Sequence, residues 1–106
     1  MNSFDIAQAR VLADVKRERD AQDAIFGVQD LPDGTGGPLY ECMANTVRQE
    51  CDRAFEVGRG TFGDVFLEEV YEAMAETDPA KLRAELIQVV AVGVKWIEAI
   101  DRRAAE

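Results

Sequence analysis

The chain has no histidine among its 106 residues. That excludes Ser-His-Asp and Cys-His catalytic pairs, which need an imidazole to take the proton. Histidine-ligated zinc is excluded too, and two cysteines are too few for a structural zinc site of their own. Positive charge is scarce: 12 Lys and Arg stand against 21 Asp and Glu, a formal charge of −9. Nucleic acid needs a basic stripe, so this balance argues against such a surface, and likewise against anionic membranes. Long apolar runs are missing as well. The longest, residues 89–94, is under two turns of helix, far short of the roughly 18 residues of a membrane span. The first fourteen residues contain Asp5 and Asp14 and no apolar stretch, unlike a signal or transit peptide. The expectation is a cytoplasmic chain whose available chemistry is mostly that of carboxylates.

The residues present suit a small globular domain. Hydrophobic side chains make up 47% of the chain, an ordinary share, and the length fits a single domain, residues 1–106, with one core. Bundles of this size often gain stability by dimerising. The spacing of apolar residues predicts four helices, and there are no alternating β-branched runs to suggest a strand. The first helix is expected over residues 3–26, capped by Asn2 or Ser3 and ended by Gly27, with Leu12, Val15 and Phe26 on a stripe that also carries Arg19 and Gln22. A Pro- and Gly-rich loop, residues 28–38, follows; it suits either a lid or a plain connector. The second helix, residues 38–57, starts on Pro38 and turns Leu39, Met43, Val47, Cys51, Ala54 and Phe55 inward. The third, residues 62–76, begins with a capping-box pair, Thr61 and Asp64, and packs through Val65, Phe66, Val70, Ala73 and Met74. The fourth, residues 79–104, starts at Asp78-Pro79. Leu82, Leu86, Val89, Gly93, Trp96 and Ile100 form its stripe, widened by Val90 and Ile97. So wide an apolar surface implies a central helix or one lining a dimer interface.

Cys42 and Cys51 fall nine positions apart on one expected helix, about 13 Å at 1.5 Å per residue. A disulfide needs Cα atoms within about 7 Å, so the pair stays reduced, as small apolar helix residues.

The informative segment is Leu67-Glu68-Glu69-Val70-Tyr71-Glu72. Glu69 and Glu72 are three apart and Glu68 and Glu72 four apart, so all three share a helical surface and repel one another. Such a group wants water or a cation. A second pair, Glu85 and Gln88, has the same three-residue spacing on the fourth helix. Glu72 precedes Asp78 by six residues and Glu85 follows it by seven, so a hairpin about residues 77–79 brings them to one level. Carboxylate and amide oxygens converging there suit Mg²⁺ or Mn²⁺, which keep waters and accept phosphate oxygens. The same spacing also describes a solvated acidic helix face.

This pattern resembles the MazG-like, all-α nucleoside triphosphate pyrophosphohydrolase superfamily, whose signature is two adjacent glutamates, a third glutamate after two residues, a spacer, then Glu-x-x-Asp. The stretch from Leu82-Arg83-Ala84-Glu85 into Lys95-Trp96-Ile97-Glu98 is similar too. So are Glu18-Arg19-Asp20-Ala21-Gln22, Phe26-Gly27-Val28-Gln29 and Pro32-Asp33-Gly34-Thr35-Gly36, which resemble the small members from actinobacteria and their phages. The likeness spans residues 11–103. It implies a four-helix bundle completed by dimerisation, as homodimer or homotetramer, and Mg²⁺- or Mn²⁺-dependent hydrolysis of an NTP or dNTP to NMP and pyrophosphate. By position it implies Glu69, Glu72, Glu85 and Gln88 as metal ligands. Glu68 is then the catalytic residue that activates the attacking water or holds a second metal.

The chain departs from the family at Gln88, where Asp is usual. An amide oxygen still ligates but brings no charge. This keeps open two other readings: a weakened enzyme that binds or sequesters nucleotide, and a purely structural helical dimer module. Phe26 and Leu31 stand where the family often has Trp and His. Arg19, Gln22 and Phe26 fit a base pocket or plain helix packing, and Lys95 fits a phosphate contact or a surface lysine.

Overall fold

The structure is a computed structural model that describes residues 2–106. Among these there are four helices and no strand: α1 (Ser3–Phe26), α2 (Pro38–Glu56), α3 (Phe62–Ala75) and α4 (Pro79–Ala105). Each boundary has a local cause. The Asn2 side chain accepts from the Asp5 amide at 2.9 Å and so caps α1. Thr61 and Asp64 form a reciprocal capping box at the start of α3. Asp78 accepts from the Lys81 amide at 3.0 Å where α4 begins. At the end of α2, Gly58 takes φ +74° and the Arg59 amide bonds back to the Ala54 carbonyl. That closure needs a left-handed residue, which glycine supplies without strain.

The chain divides into two compact units. The first comprises residues 2–32 and Val94–Glu106, and the second Asp33–Gly93. α4 supplies its C-terminal part to the first and its N-terminal part to the second. In the first unit Val11, Val94 and Ala99 are buried, and Val11 alone among the described side chains is almost wholly enclosed. The stripe expected on α1 is displaced. Leu12 and Phe26 are exposed, and the less accessible line is Ala7, Val11 and Val15, at the four-residue spacing of one helical face. Exposed ion pairs, Lys16 with Asp20, Arg17 with Asp14 and Arg19 with Asp23, cover the polar side.

In the second unit α2 packs on α3. Ala44 and Cys51 of α2, Ala73 of α3 and Leu82 of α4 are buried. Small residues dominate this list, which lets the helix backbones approach closely. Gly93 is not required by such an approach: a Cβ there would stand 3.6 Å from the Phe66 ring, an ordinary van der Waals distance. Leu39 and Phe55, expected inward on α2, are exposed; Phe55 instead lies over Gly60, where a side chain would strike its ring. On α4 the expected stripe is only partly covered, with Leu86, Val90, Ile97 and Ile100 exposed, and Ile87, outside that stripe, is exposed as well. The loop before α2 is anchored in this unit. The Gly36 amide donates to the Met74 carbonyl at 2.8 Å, and its bare Cα fits against Thr77. No described helix is long and apolar enough to cross a membrane.

Candidate functional site

α3 and α4 are joined by only three residues, Glu76, Thr77 and Asp78. Glu76 ties that link, its carboxylate accepting from the amides of Thr77 and Asp78 at 3.1 and 3.0 Å. The chain therefore reverses sharply, and Glu69 and Glu72 of α3 meet Glu85 of α4. Each offers a carboxylate oxygen within 4.8 Å of the other two, and all three side chains are half-buried.

The electrostatics follow from this placement. Burial pushes the Glu69 carboxyl above its ordinary range, and repulsion from Glu85 and Glu68 adds to it. Burial also raises Glu72, helped by Glu69, Glu85 and Glu68, while the Arg48 guanidinium opposes the shift. Like charges in partial burial favour the protonated form unless a cation is present. Oxygen-only donors at this separation suit a hard divalent ion.

Beside the cluster, an open pocket of about 360 Å³ lies between α2 and the α3–α4 hairpin. Glu72, Glu76 and Glu85 line one side, and Glu41, Ala44, Asn45 and Arg48 of α2 the other. Arg48 donates to Asn45 Oδ1 at 2.5 Å. Sequence reasoning missed this α2 wall. The signal was there as Glu41, Asn45 and Arg48 at four- and three-residue spacing, a polar line flanking the apolar face.

Glu68 is half-buried and faces α2, where the buried Cys51 thiol hydrogen-bonds to it. Burial, that bond and the nearby charges of Glu68, Asp64 and Asp52 push the thiol up to about 11. Cys51 is thus a packed, inert thiol as expected, with a polar partner the sequence did not suggest. Cys42 is exposed and also free.

Gln88 is exposed, three residues beyond Glu85, and does not line the pocket. Arg19, Gln22, Phe26 and Lys95 belong to the other unit. There Arg19 bonds Gln22 at 3.1 Å and pairs with Asp23, within α1, and Phe26 and Lys95 are exposed.

No described protein family matches the chain, nor does any curated protein or solved structure.

Proposed function

We propose that the chain is a metal-dependent nucleoside triphosphate pyrophosphohydrolase of MazG-like type, converting an NTP or dNTP and water to NMP and pyrophosphate. The observation that carries the reading is the convergence of Glu69, Glu72 and Glu85 from two helices beside an open pocket. Three carboxylates held this close without a cation repel one another, and Mg²⁺ or Mn²⁺ relieves that repulsion. A bound divalent ion neutralises phosphate charge and polarises the bond to be broken. Glu69, Glu72 and Glu85 hold that ion in this reading, and Gln88 adds a neutral oxygen by rotation of its exposed side chain. Glu68, adjacent in sequence and anchored by Cys51, orients the attacking water and takes its proton. Arg19, Gln22, Phe26 and Lys95, expected to contact base and phosphate, lie in the other unit and do not enter this reading. A cytoplasmic location goes with a nucleotide substrate. A homodimer or homotetramer is supported by the uncovered Leu86, Ile87 and Val90 along α4.

The test is a panel of NTPs and dNTPs with Mg²⁺ or Mn²⁺, read as pyrophosphate release. Activity lost in Glu72→Ala and raised in Gln88→Asp supports the reading. No release from any nucleotide, by wild type or by Gln88→Asp, refutes it. The neutral amide at Gln88 favours one alternative, a protein that binds nucleotide with little turnover; tight binding by calorimetry without pyrophosphate identifies that case.

A further inference from the structure

We propose that Arg48 is the phosphate-binding residue of this pocket, taking the end of a polyphosphate chain remote from the metal. The proposal rests on the metal-site reading above. Among the described residues Arg48 is the one basic residue lining the pocket, facing Glu72, Glu76 and Glu85 across it. Three carboxylates around one divalent ion leave the site with net negative charge. A polyphosphate entering such a site needs a second positive group, and the pocket supplies only this one.

The geometry suits that role. Asn45 holds the guanidinium through one hydrogen bond. Among the described residues no carboxylate lies within ion-pair distance of it, because the exposed ion pairs of the chain are all on α1. Its remaining donors are therefore available, in the planar fork that matches two phosphate oxygens at once. Its positive charge is nonetheless close enough to oppose the rise of the Glu72 carboxyl. Glu72 and this fork line the same pocket, so phosphates attached to an ion held by Glu72 extend into the space that Arg48 faces.

The experiment is calorimetry with Mn²⁺ alone, then with inorganic tripolyphosphate in saturating Mn²⁺, on wild type, Arg48→Ala and Arg48→Lys. Arg48→Ala is expected to weaken tripolyphosphate binding at least tenfold, and Arg48→Lys less. Binding of Mn²⁺ alone is expected to be equal or tighter in Arg48→Ala, since a repelling charge has gone. Structural damage moves both affinities down together, so a parallel loss overturns the proposal. So does unchanged tripolyphosphate binding in Arg48→Ala, which leaves the metal site standing. Failure of wild type to bind Mn²⁺ overturns both the proposal and the metal site.

Discussion

Replacing Glu72 with Gln should stabilise the metal-free protein and abolish its response to metal. The oxygens of Glu69, Glu72 and Glu85 lie within 4.8 Å of one another. At that separation two unit charges repel by about 1 kcal/mol in water and by about 3–4 kcal/mol at an effective dielectric constant of 20. The side chains are half-buried and face an open pocket, so screening keeps the repulsion near the lower figure. Glu72→Gln removes two of the three repulsive pairs, while the amide keeps the size and shape of the side chain. The expected gain is roughly 1–2 kcal/mol, or about 4–10 °C in Tm for a chain of this length. Manganese reverses the order. At a hundred times its Kd the ion stabilises wild type by about 2.7 kcal/mol, and it stabilises the variant far less. The assay is thermal unfolding in EDTA and across a Mn²⁺ titration, so that the two Tm curves cross. A variant less stable than wild type in EDTA, or equal manganese shifts in both proteins, refutes the reasoning.

The same repulsion sets a pH dependence. Glu69 and Glu72 have folded values raised above the unfolded ones. Their contribution to stability is therefore full below the ordinary glutamate pKa and is lost as pH rises through the raised values. The advantage of Glu72→Gln in EDTA should be small near about pH 4 and reach its full size near about pH 7; calorimetric Tm values showing the reverse trend contradict the assignment. For the cysteines, alkylation near about pH 8 should label exposed Cys42 and spare Cys51, whose thiol is pushed up to about 11. Mass spectrometry before and after urea addition checks this, and rapid labelling of Cys51 in the folded state counts against its burial.

The helix boundaries were almost wholly legible in the sequence because each carries its own short-range chemistry. Asn2, Gly27, Gly58, Thr61 with Asp64, and Asp78 start or stop helices by bonds within a few residues, and Pro38 does so by its fixed φ at the first helical position. Which side of a helix is covered was less legible. Leu12 and Val11 are neighbours of similar apolar character, and packing partners elsewhere in the fold decide which is buried. The acidic cluster was legible for a related reason: equal distances from a short turn bring Glu72 and Glu85 to one level. The α2 wall was legible only as a polar line of Glu41, Asn45 and Arg48; that it stands beside the cluster follows from α2 packing on α3.

The cluster also has a bearing on how the chain folds. Its three carboxylates come from a span of 17 residues, Glu69 to Glu85, joined through a three-residue turn. Closing so short a loop costs little chain entropy, and helical hairpins rich in local contacts assemble fast. The expectation is that the mutual repulsion is met early, while α3 and α4 are first pairing. On the proposed metal-site reading, a divalent ion bound at that stage would speed folding and leave the unfolding rate nearly unchanged.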